Sequence, residues 1–374
     1  MAVDLPLTPG WQLGAGPSNT DAAKRGPISI AGRVVSVTPV FCAYWRFAAE
    51  RQGIFFRRLH CSSDSLTIDP VLQRFRFTNA YRASDRVSQY LIRHVIYRDD
   101  LPNDAVNVFF RILLFKIFNK IETWELLEEK LGPPTWEGYC FARYDGVLSQ
   151  RMAGGERIYS AAYIMPSAGR AFGHKAKHQN HLRLIEFLIA RDYPARLADC
   201  KTMAAAFALL VSVPSLGPFL AYQYVTDLNY STLTNFREDE FVVAGPGALD
   251  GIDKCFIGAR DIDPAHIIRY MHDYQEQHFA DLGIEFPSLW GRRLQLVDCQ
   301  NLFCEISKYA RAAFPQYAGI AGRTRIKQKF LTRGTLPTPW YPPKWNLNVE
   351  IAATSVGAVS DIGQGRGCAE HSAV

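Results

Sequence analysis

Residues 75–91 read Phe75-Arg-Phe-Thr-Asn-Ala-Tyr-Arg-Ala-Ser-Asp-Arg-Val-Ser-Gln-Tyr-Leu91. At about 100° per residue the spacing predicts one helix. Arg82, Asp85, Arg86 and Gln89 then share a stripe, while Val87, Tyr90, Leu91, His94 and Val95 share another. Thr78 or Asn79 is placed to cap this helix by accepting from its first free N–H groups. The polar stripe fits two readings. It is either a solvated face laced with ion pairs, or a binding face presenting two guanidiniums, a carboxylate and an amide.

The helical period recurs outward from this stretch. Pro39–Arg51 is apolar and aromatic on one side, with Arg46, Glu50 and Arg51 on the other. Asp104–Ile121 and Thr123–Leu131 form a pair, the second ended by Gly132-Pro133-Pro134. His178–Ala190, Lys201–Ser212, Gly217–Asp227, Pro264–Asp281 and Arg292–Phe314 complete the set. Strand-like alternation is confined to Val34–Val40 and Phe241–Val243, and no 20–50-residue repeat is present. The expected fold is all-α, a helical body over residues 31–331 with the option of two lobes. Residues 1–30 are Pro/Gly-rich without periodicity and are expected to be disordered. Residues 332–374 are expected to form an aromatic–proline strap, Pro337-Thr-Pro-Trp-Tyr-Pro-Pro343, followed by a disordered Gly-rich tail.

A chain of 374 residues with 48% hydrophobic and 21% charged residues has an ordinary globular composition. Its net charge of +6 is compatible with a polyanionic partner but is below the footprint of a dedicated nucleic-acid binder. Cys42, Cys61, Cys140, Cys200, Cys255, Cys299, Cys304 and Cys368 form no C-x-x-C pair. That spacing argues against a zinc cluster or disulfide scaffold and for reduced thiols. The N-terminus has no signal-like apolar stretch, and the apolar run Val106–Phe118 is interrupted by Arg111 and Lys116. The expectation is an intracellular protein without membrane contact, nuclear if the source is eukaryotic.

Four constellations carry candidate chemistry. The turn Val213-Pro-Ser-Leu-Gly-Pro-Phe-Leu-Ala221 follows the helix-hairpin-helix pattern apolar-Pro-Gly-apolar-Gly-x-x-x-Ala, with Ser215 in place of the first Gly. Pro214 ends one helix, and Gly217 opens the next where a side chain is expected to obstruct the turn. The N–H groups beyond it suit a phosphate, although an ordinary αα-turn has the same outline. About 20 residues on, Glu238-Asp239-Glu240 offers a carboxylate, either as an acid/base group or as an exposed acidic loop. Gly245-Pro-Gly247 lacks the Gly-Lys-Ser/Thr of a P-loop. On a helix, Asn301, Glu305 and Lys308 share one face and Leu302, Ile306 and Tyr309 another. Such a polar face is exposed, or else paired and used for a ligand. His174, His178 and His181 have metal-like spacing, but Lys175 and Lys177 between them point to a basic segment contacting phosphates.

Phe77-x-Asn-x-Tyr-Arg-x-x-Asp-Arg-x-Ser-Gln89, Phe118-Asn119 with Thr123-Trp124, the hairpin, and Asn301-x-x-Cys-Glu-x-x-Lys-Tyr309 occur in that order. Together they resemble the helical domain found beside 5-hydroxymethyl-deoxyuridine DNA kinases. Stand-alone members of this family are called α-glutamyl/putrescinyl-thymine pyrophosphorylases, or amino acid:DNA transferases. The resemblance covers roughly residues 35–320. It implies a helical bundle related to helix-hairpin-helix DNA glycosylases and a role in thymine hypermodification. In that pathway an amine displaces pyrophosphate from the exocyclic methylene of an activated 5-hydroxymethyluracil.

The chemistry of that reaction suggests roles for the candidate residues. Arg82 and Arg86 would contact the diphosphate, Asp85 or Asp239 would serve as acid/base group, and Asn79 and Gln89 would read the base edge. Tyr81, Lys175, Asn301, Glu305 and Lys308 complete the expected substrate set, with Pro214, Ser215 and Gly217 on the DNA backbone. The implied partners are DNA carrying modified pyrimidines, a small amine, and a separate DNA kinase or base hydroxylase. No cofactor or metal is expected. Without a P-loop, phosphorylation is expected from another chain or domain. Two alternatives remain open: a glycosylase acting on a modified base with Asp239 essential, and a non-catalytic DNA-binding module.

Overall fold

Helix boundaries follow capping chemistry in the computed structural model, which describes residues 26–60, 65–161, 165–331 and 336–353. Thr38 caps Pro39–Leu59, its hydroxyl accepting from the Val40 N–H at 3.2 Å. Asp104 caps Ala105–Phe118, which ends where Asn119 turns left-handed at φ 49°. Gln295 and Asp298 form a reciprocal capping box at the start of Leu296–Ala313. That last helix is the axis of the molecule. Pro39–Leu59, Pro246–Cys255 and Pro264–Asp273 all pack on it.

The expectation of a mainly helical body holds, with one small antiparallel sheet in the order Ile28–Ile30, Arg33–Val37, Phe256–Ile257. Ile28 pairs with Val35 and Val37 with Phe256, so the body begins before residue 31. Phe241–Val243, read as strand-like, forms no strand because no partner strand lies beside it among the described residues. The predicted Pro264–Asp281 helix is interrupted at Tyr274. Apolar side chains from Ile30 to Ile351 form one continuous core, which favours the single-body option. No helix among the described residues is long and apolar enough to cross a membrane.

The Pro246–Cys255 and Leu296–Ala313 helices approach most closely at Gly251. A Cβ there would lie 2.8 Å from the carbonyl carbon of Phe303 and closer still to its oxygen. Backbone cannot yield as a flexible side chain does. Gly251→Ala is therefore expected to lower unfolding free energy by about 3 kcal/mol, read by urea denaturation. A loss below about 0.5 kcal/mol would show that the two helices slide apart freely.

Candidate active site

The stretch that predicted one helix is broken in three. Arg82–Ser84 form a single 3-10 turn, Asp85 is extended at φ −70° and ψ 144°, and the helix starts again at Arg86–Tyr90. A π-helical segment, Leu91–Ile96, follows. Neither Thr78 nor Asn79 caps it, and the four-residue stripe is not one helical face. The reason lies in where the polar groups of residues 78–85 find partners. The Asn79 N–H donates to Asp85 Oδ1 at 2.8 Å, and the Asn79 side chain donates to the Ser84 carbonyl at 2.7 Å. These bonds close a loop that replaces the first helical turns.

This loop lies against the Leu296–Ala313 helix, whose polar face is the one its spacing predicted. Asn301 Nδ2 donates to Thr78 Oγ1 at 3.0 Å, and Glu305 Oε2 accepts the Thr78 N–H at 2.9 Å. Lys308 Nζ sits 2.8 Å from Glu305 Oε2 and 4.5 Å from the Phe77 ring centroid. From the Pro39–Leu59 helix, buried Arg51 donates to the Thr78 carbonyl at 2.9 Å and to Asn79 Oδ1 at 3.0 Å. The result is an Asp85–Glu305 carboxylate pair flanked by Arg51 and Lys308. Asp85 Oδ2 and Glu305 Oε1 take no hydrogen bond from any described residue.

Burial pushes Asp85 up to about 7, with Glu305 adding to the rise and the Asn79 N–H and Arg51 opposing it. Its surface is partly exposed, yet the protein around it is dense enough for desolvation to dominate. A carboxylate balanced near neutrality with one oxygen unpartnered is equipped to take a proton. Asp298 also rises, to about 6, chiefly through burial. Its oxygens are already engaged, one by the Arg82 N–H at 2.8 Å and the other by the Gln295 N–H at 3.0 Å. Desolvation lowers Arg51 to about 10, which leaves it cationic at neutral pH.

Other candidates serve the framework. Arg82, expected to hold a diphosphate, is 5% exposed and points inward to Gln223, Tyr230 and Asp227. Asp227 also binds Lys116 at 2.6 Å, so Arg82 belongs to a buried charge network. The Tyr81 hydroxyl is buried against the Arg292 carbonyl and the Leu289 N–H. Gln89 donates to the Ala83 carbonyl and accepts from the Trp340 N–H, so its amide is not offered to a base edge. The Asn79 amide is likewise engaged at both ends. Arg86 stays half-exposed, 3.6 Å from Glu122. Lys175 is exposed and makes no hydrogen bond or ion pair to this cluster among the described residues. Asp239 is paired with Arg237 at 2.8 Å, which holds it below the usual carboxylate range, and no hydrogen bond or ion pair joins it to the Asp85 loop among the described residues. Glu238 is the inward-facing member of that triplet, bonded to Trp345 and Arg292.

The turn at 212–217 joins two helices, Met203–Val211 and Pro218–Leu228. Ser215, at φ 70°, occupies the left-handed position that the missing glycine would favour. Gly217 has φ −66°, and a Cβ there meets nothing within 4 Å, so the expected obstruction does not arise. His178 pairs with Asp145, while His181 lies between Tyr159 and the Pro166 carbonyl, so the histidines have separate partners. No three His, Cys, Asp or Glu side chains among the described residues gather in a metal-holding group. The Pro337–Pro343 strap packs on the loop from the side, with Tyr341 OH 2.7 Å from Ser84 Oγ. Arg51 and Asp227 escaped the sequence reading because their partners lie 27 or more residues away, beyond any local period.

The family described as "5-hmdU DNA kinase, helical domain" matches residues 38–319. The 5-hmdU DNA kinase of Bacillus phage SP10 is 26% identical over 304 residues, covering 76% of this chain and 46% of that protein. The chain thus spans about half the length of the curated relative it matches. No solved structure matches it.

Proposed function

Since the chain belongs to the family of 5-hmdU DNA kinase helical domains, we propose that it modifies 5-hydroxymethyluracil in DNA after that base has been activated as its pyrophosphate. An amine nitrogen attacks the exocyclic methylene. The C–N bond forms as the C–O bond to pyrophosphate breaks, and pyrophosphate leaves with that electron pair. Asp85 accepts the proton the nitrogen gives up, with Glu305 and Arg51 setting its readiness to do so. Arg86, half-exposed beside the loop, supplies the cation for the diphosphate in this reading.

The observation that carries this reading is Asp85 itself, raised to about 7 with an unpartnered oxygen. The family supports DNA as the macromolecular substrate. The sequence has no Gly-Lys-Ser/Thr for a nucleotide, so the activating phosphorylation is assigned to another chain or domain.

The test supplies duplex DNA carrying pyrophosphorylated 5-hydroxymethyluracil, together with candidate amines. Mass spectrometry of the nucleosides is expected to find an aminomethyl-substituted uracil, with stoichiometric pyrophosphate. The rate should rise with pH through about 7, because only ionised Asp85 accepts a proton. Free base and abasic sites would replace this reading with a glycosylase. DNA binding with no product of either kind would leave a recruitment module.

A further inference from the structure

From Ile306 to Val349 the sequence contains eight Lys or Arg residues and no Asp or Glu, whereas the whole chain has a net charge of only +6. The centre of this span folds back on the entrance to the candidate site. Phe75 and Lys329 form an antiparallel bridge, with the Arg76 N–H donating to the Gln328 carbonyl at 3.1 Å and the Phe330 N–H to the Arg74 carbonyl at 3.0 Å. Arg74, Arg76, Arg323, Arg325, Lys327 and Lys329 are all exposed. None of the six forms an ion pair among the described residues. Arg311 adds a further cation, its side chain reaching the Arg325 carbonyl and feeling the charge of Arg323.

Charge left unpaired along one run of chain is unusual for a merely solvated surface, where interspersed signs are the common pattern. Arg323, Arg325, Lys327 and Lys329 are alternate residues of one non-helical segment, so four cations follow one run of chain that ends at the bridge to Phe75. A linear polyanion fits such a row better than a compact anion does. The row also has a direction. Arg76 is two residues before Thr78, which Glu305 and Arg51 both hold.

We propose that the ribbon formed by Arg74–Arg76 and Arg323–Lys329 is the track for the DNA backbone that flanks the base being modified. This rests on the DNA-directed reading above, and it moves the main backbone contact away from the 213–217 hairpin. The track lies partly beyond residue 319, where the family match stops.

The test is fluorescence anisotropy of a labelled, unmodified DNA duplex with the full chain, titrated between about 50 and 200 mM salt. The quadruple variant Arg323→Gln, Arg325→Gln, Lys327→Gln, Lys329→Gln is compared with a control neutralising exposed Arg143, Arg157, Arg170 and Lys201. The ribbon variant should weaken binding roughly tenfold or more and flatten the log–log salt slope by about 3, with unchanged thermal unfolding. The control should change neither by more than about a third as much. Equal losses in both variants would reduce the effect to net charge and overturn the proposal. Tighter ribbon-dependent binding to vesicles of anionic lipid than to DNA would also overturn it. Because binding needs no turnover, ribbon-dependent DNA binding without product formation supports the track and strikes only the catalytic reading.

Discussion

Asp85→Asn is expected to abolish product formation while making the fold more stable at neutral pH. The substitution keeps the shape of the side chain and an oxygen that can accept the Asn79 N–H, so the loop retains its closure. What it removes is a carboxylate whose pKa is about 7 in the fold against 3.8 for an ordinary Asp. Between those two values the folded state binds the extra proton. Stability therefore falls as pH rises through that window, and above about 7 the folded state carries the full cost of the buried charge. Asparagine never ionises and escapes that cost. The gain should be about 2–4 kcal/mol at pH 8, discounted for the partial exposure of the group, and should shrink toward zero near pH 4. Urea denaturation at the two pH values, beside the nucleoside assay, reads both effects. Retained activity would remove Asp85 from the chemistry. Destabilisation at pH 8 would mean that its attraction to Arg51 outweighs burial.

Asp227→Asn should be the most damaging single substitution in the interior. Asp227 is 2% exposed and lies between Arg82 at 2.6 Å and Lys116 at 2.6 Å, so one buried carboxylate serves two buried cations. Neutralising it removes the carboxylate that both buried cations share, a loss of about 3–5 kcal/mol. Arg82→Ala should cost less, because Lys116 and Asp227 still balance, although Gln223 and Tyr230 lose a partner. Burial and Arg82 already push Lys116 down to about 8, from 10.5 when exposed. Asp227 holds that value up, so in Asp227→Asn the Lys116 proton leaves the folded state at still lower pH, and the deficit should ease as pH rises toward 8. If the two variants prove equally stable, the network is not organised around Asp227. Either way, Arg82 variants report on folding before they report on substrate.

The contrast between Arg82 and Glu305 explains how much of the site the sequence carried. Asn301, Glu305 and Lys308 lie on a long helix, where one period fixes which residues share a face, and the structure keeps that face. Arg82 and Asp85 were read by the same rule, but it failed because Asp85 bonds back to Asn79 and breaks the helix at ψ 144°. A local period cannot register a hydrogen bond that competes with it. Nor can it find Arg51, Asp298 or Asp227, whose importance comes from elements distant in sequence. Helix limits were more legible, since Thr38, Asp104, Thr202 and Asp263 each cap a helix through a side-chain oxygen. The first strand escaped because its three residues gain stability only by pairing with Arg33–Val37.

The strap carries a lesson about what counts as the unit of inheritance in such a protein. The shared family segment closes at residue 319. Yet the loop bearing Asp85 is pinned at Ser84 by Tyr341 and at Gln89 by Trp340, both beyond that limit. Part of what fixes the loop thus lies outside the matched segment. A chain trimmed to the matched segment would keep Asp85 yet hold it less firmly, because Trp340 and Tyr341 would be gone.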